Sequence, residues 1–309
     1  MRIVVHGQQA FGKAVLEALI KRGENVIAVY VAPEKPGQKA DPLKEAAQAA
    51  GLPVYQPESY RKPEVWEQFK GLQPDLQVMA FVTLFVPENF LNIPTHGSIQ
   101  YHPSLLPRYR GPSAINWPII QGETETGLSI FWPDNGLDTG DVLLQTKTHI
   151  GPDDTLGSVY FDRLFPMGVE AMLESVDLVK AGTAPRIKQD EKRATYEGRC
   201  GADNAHIDWG KPWRQIHNLI RGCNPAPGAW TNHDGQRLQI FDSKPLPAVD
   251  PKGIGGKMGE IVAVDGDGFT VVCADGRIRV MRVKPADGPK TGAGEFAAAA
   301  KLAVGMRLT

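Results

Sequence analysis

The amino-terminal part of the chain alternates short, almost wholly apolar runs with helix-like stretches, and this limits the fold more than any other feature. Residues 3–6 read as a buried strand, after which Gly7 leads into a helix over 10–21 that Gly23 ends. Residues 26–31 form the next strand, and the Pro- and Gly-bearing stretch 33–41 a loop. Pro42 then suits the first turn of a helix running to residue 50, stopped by Gly51. Residues 53–55 and 76–81 are further apolar strands, and the strand 98–101 runs straight into the loop 102–111. Strands that are apolar on both faces and separated by helices pair in parallel, with helices covering both sides of the sheet.

Later signals change character. Residues 128–132 and 142–145 pair around the turn 134–140, and a helical stretch, 156–180, closes a first domain over 1–182. Residues 183–203 mix Pro, Gly and charge and read as a linker. In the second domain, 204–309, a helix near 213–221 precedes short β segments at 237–241, 260–264, 270–273 and 278–283. The pairs Asp234-Gly235, Asp267-Gly268 and Asp275-Gly276 punctuate them, and Ala297 to Ala300 belong to a terminal helix. The expected fold is therefore α/β: a Rossmann-like, mostly parallel sheet followed by a small OB-like β-barrel.

Composition narrows the class of partner. With 309 residues and a net charge of −1, the chain has room for two domains and no whole-molecule pull toward nucleic acid or an anionic membrane. From Asn204 onward 14 Lys/Arg stand against 10 Asp/Glu, so that part is +4 and the remainder −5, a mild asymmetry that mostly marks solvated faces. Three widely spaced cysteines form no C-x-x-C pair and give no sign of zinc. Residues 1–5 run directly into a strand, leaving no room for a signal peptide, and no apolar run approaches the roughly 18 residues that span a bilayer. A soluble cytoplasmic location is expected, with no membrane partner.

The turn from Gly7 to Gly12 follows a strand and opens a helix, as a dinucleotide fingerprint does. It lacks the second glycine, and no acidic residue closes the strand over 26–31, so nicotinamide is not expected. The turn either holds part of a substrate or is plain turn chemistry. The strongest local signal is Gln100-Tyr101-His102-Pro103-Ser104-Leu105-Leu106-Pro107, ending at Gly111. It starts at the carboxyl end of a strand, where open α/β sheets place ligands, and its prolines stiffen it. A lone histidine there is as readily structural as functional. The second signal, Pro133-Asp134-Asn135-Gly136-Leu137-Asp138-Thr139-Gly140-Asp141, reads from composition as a polar hairpin turn. It gains chemical meaning only if one of its acids faces His102, because such a pair can hold or move a proton.

Together these segments resemble the folate-dependent formyltransferase family, over essentially the whole chain. The family's catalytic loop reads Asn-x-His-x-Ser-Leu-Leu-Pro-x-x-x-Gly, matched by His102, Ser104 to Pro107 and Gly111. Its later Asp-x-Gly turn is matched by Asp138-Thr139-Gly140, and its carboxyl-terminal domain by Ile220-Arg221, Asn224-Pro225 and Pro227 to Trp230. Within the family the chain resembles in particular the amino-terminal hydrolase domain of 10-formyltetrahydrofolate dehydrogenase. The likeness rests on Lys39 to Leu43, Gly97 to Ile99, Ser113 to Trp117, Gly136 to Asp141, Gly182 to Arg186 and Ala194 to Gly198. The chain is also similar to methionyl-tRNA formyltransferase. The dehydrogenase's further domains lie beyond the matched region, so oxidation of the formyl group is not expected here.

The resemblance implies 10-formyltetrahydrofolate as formyl donor, with no metal. Phe81, Val82, Leu84 and Phe85 would wall the pteridine, and backbone groups of Pro133, Asp134, Asn135, Gly136 and Leu137 would form its polar edge. His102 would stabilise charge or move a proton, Asp138 would orient His102 and the nucleophile, and Gln100 would hydrogen-bond the oxyanion. Gln100 departs from the family: the equivalent residue is Asn in the transferases and typically aliphatic in the hydrolase domain. Gln keeps the amide but moves it by a methylene, in a setting where losing such a donor costs about 3 kcal/mol. The acceptor is expected to be water or a small amine. The tRNA alternative is disfavoured because the loop over 33–39 is short and only modestly basic, and phosphate contacts dominate nucleic-acid affinity. A folate-binding regulator without catalysis is the third reading.

Overall fold

The computed structural model describes residues 1–248 and 255–309, so six positions of the expected 204–309 barrel, 249–254, lie outside the description. The amino-terminal elements follow the alternation in sequence: β1 (Arg2–Gly7), α1 (Gln9–Lys21), β2 (Asn25–Val31), α2 (Pro42–Ala49), β3 (Val54–Tyr55), α3 (Pro63–Gly71), β4 (Leu76–Ala80), α4 (Glu88–Leu91) and β5 (Ser98–His102). They are followed by α5 (Asn116–Ile120), β6 (Glu125–Phe131), β7 (Val142–His149), α6 (Leu156–Val159) and α7 (Phe165–Lys180). The seven-stranded sheet has the order β3-β2-β1-β4-β5-β6-β7. β1 to β5 pair in parallel, and β6 joins β5 antiparallel. Every residue of β4 is buried, as a strand covered on both faces requires.

Two local findings add detail to the sequence reading. The stretch 156–180 is helical throughout, as expected, but not α throughout: a π-helical turn, Tyr160–Leu164, lies between α6 and α7. Pro166, in the first turn of α7, has no N–H to give to the helical ladder beside that turn. The strand β6 runs antiparallel to β5 and stops with Phe131 opposite Gln100. The loop 132–141 thus does not follow a parallel strand; it folds back to meet β5.

The carboxyl-terminal elements are α8 (Trp213–Gly222), β8 (Ala229–His233), β9 (Gln236–Pro247), β10 (Ile261–Asp265), β11 (Gly268–Cys273), β12 (Gly276–Pro285), β13 (Thr291–Gly292) and α9 (Ala293–Ala299). They form a separate six-stranded sheet, order β10-β11-β12-β9-β8 with β13 on β12, and each strand pair is antiparallel. The long pair β9–β12 shifts register beside Arg282, the kind of bulge that bends a sheet toward a barrel. Ile220, Ile240, Phe269, Ile278 and Val280 fill its core.

By packing, the chain forms two units that interleave in sequence. One comprises residues 1–111, 127–148 and 161–196, the other 112–126, 149–160 and 197–309. Residues 184–196, read from sequence as linker, are held within the first unit: Ile187 pairs with Val142 and Tyr196 with Arg110. No helix among the described residues is long and apolar enough to cross a membrane.

Candidate active site

Residues i and i+2 of a strand face the same way, so Gln100 and His102 share one face of β5. His102 is buried, and both its ring nitrogens have neighbours. Nε2 lies 2.8 Å from the Tyr109 carbonyl, and Nδ1 lies 3.5 Å from Asp138 Oδ2. The carbonyl can only accept, so Nε2 carries a proton and donates it; a second proton, on Nδ1, would point at the Asp138 carboxylate. Asp138 is itself buried and takes the Gly111 N–H on Oδ2 at 2.8 Å. Its other oxygen, Oδ1, and the Gln100 side-chain amide have no hydrogen-bond partner among the described residues. A buried His–Asp pair next to a free carboxylate oxygen and a free amide can accept a proton, carry positive charge and donate a hydrogen bond.

The structure thus brings together three residues picked out by sequence. The wall residues stand nearby in the chain's course, directly after β4. Phe81 is 46% exposed and Phe85 54%, and across the loop 132–141 Leu137 is 55% exposed, so both segments present bare apolar surface. Val82 and Leu84 are half-buried and pack onto the core beneath α3 and α4. The two segments are clamped to each other: Asn135 Oδ1 accepts the Glu88 N–H at 3.2 Å, and Asn135 Nδ2 donates to Glu88 Oε2 at 2.6 Å. Asp134 turns inward on its own loop, accepting from Gly136 N and Thr139 Oγ1. Its carboxylate and the Asn135 amide therefore shape the turn, and Pro133, Gly136 and Leu137 contribute backbone and apolar surface.

A second layer holds the loop 102–111 and carries no motif. Ser129 Oγ donates to the Ser104 carbonyl and accepts from Leu106 N, while Gln145 Nε2 reaches both Ser129 Oγ and the Leu106 carbonyl at 2.8 Å. Thr195 Oγ1 accepts the Tyr109 N–H at 2.8 Å. Gln189 Nε2 donates to the carbonyls of Asp138 and Gly140, and Arg110 binds Gln189 and Glu191. Gln189 and Thr195 fall in the polar stretch read as linker, where nothing local separates a structural amide from a solvated one. Among the described residues no group of three or more His, Cys, Asp or Glu side chains is placed to hold a metal ion.

Residues 1–176 match the formyl transferase family model, and residues 200–301 match that of the formyl transferase C-terminal domain. The chain is 42% identical over 307 residues to the cytosolic 10-formyltetrahydrofolate dehydrogenase of Xenopus laevis, covering 96% of this chain and 34% of that protein, so it spans about a third of the dehydrogenase's length. It is 41% identical over 313 residues to the methionyl-tRNA formyltransferase of Geobacter metallireducens, covering 100% of this chain and 98% of that one. Solved structures share the fold. HypX from Aquifex aeolicus in complex with tetrahydrofolic acid has a TM-score of 0.69 at 17% identity, covering 98% of this chain and 48% of its own. The N-formyltransferase from Helicobacter canadensis, in complex with folinic acid and dTDP-3-aminofucose, has a TM-score of 0.68 at 20% identity, covering 90% and 98%. On these matches and its two-part architecture, the chain belongs to the formyltransferase family, whose enzymes use formyl-tetrahydrofolate as one-carbon donor.

Proposed function

We propose that this chain catalyses transfer of the formyl group of 10-formyltetrahydrofolate to water or a small amine. The observation that carries this reading is the buried His102–Asp138 pair with the unpaired Gln100 amide on the same strand face. Phe81, Phe85 and Leu137 offer the exposed apolar surface a flat heterocycle needs, with Val82 and Leu84 behind it and the backbone of residues 133–137 as polar edge. The folate supplies an electrophilic formyl carbon on N10. With Nε2–H committed to Tyr109, a proton on Nδ1 makes His102 a cation beside the reacting group, where it offsets negative charge developing on the formyl oxygen. Gln100 donates a hydrogen bond to the same oxygen. Asp138 Oδ1 takes the proton released by the attacking water or amine and passes it to N10 as the C–N10 bond breaks, which frees tetrahydrofolate, and Oδ2 keeps His102 in place. A cytoplasmic site of action goes with this reading.

One observation favours a second reading, methionyl-tRNA formyltransferase. Along β12, Arg277, Arg279, Arg282 and Lys284 form a basic row, with Lys244 opposite Arg279. Lys290 stacks on Phe241, and its pKa is lowered first by burial and then by Arg282 and Lys284. Such a row suits phosphates, yet Asp265 binds Arg279 and Asp242 stands opposite Arg282. Incubation with 10-formyltetrahydrofolate and separate measurement of formate, a formylated small amine and formyl-methionyl-tRNA decides between the two. Formate or formyl-amine as main product is expected; efficient formylation of the charged tRNA would overturn the first reading and establish the second.

A further inference from the structure

The turn after the first strand of a parallel sheet is a natural seat for an anion, because the following helix points its free N–H groups and the positive end of its dipole there. In this chain that seat is already taken from within. Gln9, the first residue of α1, gives its N–H to the carboxylate of Asp41, 2.9 Å from each oxygen and 32 positions away in sequence. Gln9 adopts a φ of +61°, a conformation L-residues rarely take. Asp41 is only 8% exposed and is fixed in place. Its Oδ1 also accepts the Leu43 N–H as the N-cap of α2, and its own N–H donates to Glu34, which is tied to Lys44 at 2.8 Å and to Gln56. The carboxylate thus serves two helix N-termini at once and cannot swing aside without uncapping both.

Beside it lies an open cavity of about 330 Å³ lined by Gln8, Gln9, Glu34, Gln38, Lys39 and Asp41, among others. It sits where β1 and β2 end, on the sheet edge at which β5 delivers His102, since these strands are parallel. Gln8 extends from it to the Phe81–Phe85 segment, its Oε1 accepting from Thr83 Oγ1 at 3.4 Å. A phosphate entering this cavity would find the α1 amide occupied and would face the carboxylates of Glu34 and Asp41 against the ammonium of Lys39. A neutral or cationic group would meet acceptors and amides that suit it.

We propose that Asp41 determines acceptor specificity: it closes the α1 N-terminus to phosphate, so that the acceptor presents a neutral or cationic group to this cavity and phosphorylated amines are refused. The part concerning acceptors rests on the formyl-transfer reading; the closure of the helix end does not. The test uses Asp41→Ser, which keeps a capping hydroxyl for α2 but is too short to fill the seat, and Asp41→Asn, which keeps size and cap while removing the charge. Inorganic phosphate is titrated by calorimetry onto wild type and both variants, with thermal melts as a check on folding. No binding by wild type and millimolar binding by Asp41→Ser is the expected result. Ethanolamine and phosphoethanolamine are then offered with 10-formyltetrahydrofolate. Wild type is expected to favour the unphosphorylated amine at least about tenfold, and Asp41→Ser to narrow that preference at least about fivefold, the scale of a helix-terminus charge interaction. Phosphate binding by wild type, or a folded Asp41→Ser that still refuses phosphate, overturns the proposal. Absence of any turnover, with the phosphate titration as expected, removes the formyl-transfer reading and leaves the closure by Asp41 standing.

Discussion

In the amino-terminal unit five residues other than glycine adopt a positive φ, and four of them belong to the segments that build the site: Gln9 after β1, Phe81 after β4, Tyr109 after β5, and Asp138 against His102. The carboxyl-terminal unit has two among its described residues, Asp234 in the β8–β9 hairpin turn and Lys301 just past α9, both at positions that ordinary turns and helix ends require. Each such residue costs on the order of 1 kcal/mol, and it persists only where surrounding contacts over-determine it. In the first unit those contacts are visible: Asp41 holds Gln9, Thr195 holds Tyr109, and Gly111 with Gln189 holds Asp138. The difference teaches that the first unit is built to aim side chains, whereas the second is built to fill a core.

The sharpest way to break this contrast is to remove one group from each. His102→Ala is expected to lower kcat by about 10³-fold, the scale of a lost general acid–base or oxyanion group, and to leave folate-analogue binding within a few-fold. Ile278, fully buried in the second core, should do the reverse when cut to Ala: a loss of about 3 kcal/mol in denaturant unfolding with kcat per folded molecule unchanged. Steady-state kinetics beside urea titrations read both. If Ile278→Ala selectively cut kcat, or His102→Ala mainly unfolded the protein, the division of labour drawn here would be wrong.

The sequence reading reaches one half of this contrast better than the other. The apolar runs around Val4, Val29 and Val78 made the parallel sheet legible because burial on both faces leaves almost no polar residue in a strand. His102 and Asp138 were legible through motif likeness, and their approach to 3.5 Å was not, since it depends on β6 ending opposite Gln100 and the loop folding back. Gln189, Thr195 and Asp41 escaped functional notice because each acts through long-range contacts with backbone N–H or carbonyl groups. No periodicity or spacing records a contact of that kind. The helical stretch 156–180 was legible, and the π turn within it, Tyr160–Leu164, has a local correlate in Pro166, which supplies no N–H to the helical ladder.

Acid gives the next effect, and both units supply a probe. His6, buried in β1, receives a hydrogen bond on Nδ1 from Gln77 Nε2, whose Oε1 is taken up by Ser98, and its Nε2 lies 2.8 Å from Tyr60 Oη. Burial pushes its pKa down to about 3. In the unfolded chain it titrates near 6.5, so between that value and about 3 the unfolded state binds the extra proton. Stability is then full above 6.5 and falls as pH drops, by about 1.4 kcal/mol per unit. His217 in the second unit is also lowered, by burial first, while the Pro152 carbonyl pulls the other way. Urea unfolding at pH 7.5 and 5.0 should show a loss from His6 of about 2 kcal/mol that is absent in His6→Gln. Equal slopes in wild type and variant would remove His6 as the acid-sensitive point.

Glycine substitutions at matched positive-φ sites sharpen the comparison at about 1 kcal/mol. Lys301→Gly relieves a left-handed residue at a helix end and should stabilise by about that amount with no change in kinetics. Phe81→Gly relieves the same backbone strain, at a φ of +65°, but removes exposed aromatic surface next to the site. Its thermal midpoint should hold or rise while KM for the folate rises about tenfold, the worth of one lost apolar contact face. An unchanged KM would mean that Phe81 is not part of the folate wall.

The smallest expected effect is at Gln100, and it tests how closely the first unit aims. The Gln100 amide has no partner among the described residues and shares a strand face with His102, so shortening it by one methylene changes only where a donor can reach. Asn at this position draws the donor back by about 1.5 Å, a displacement to which a preorganised site responds. If the donor contacts the formyl oxygen, Gln100→Asn should change kcat by about two- to fivefold with KM unchanged, because the interaction strengthens only as charge develops. If the longer side chain instead fills space that would admit a larger nucleophile, the ratio of formate to formylated amine should shift and the total rate should not. Single-turnover product analysis on wild type, Gln100→Asn and Gln100→Leu separates the two, since Leu keeps the bulk and loses the donor. A Leu variant matching wild type in both rate and product ratio would show that the amide takes no part, and stabilisation of the oxyanion would then rest on the charge of His102 alone.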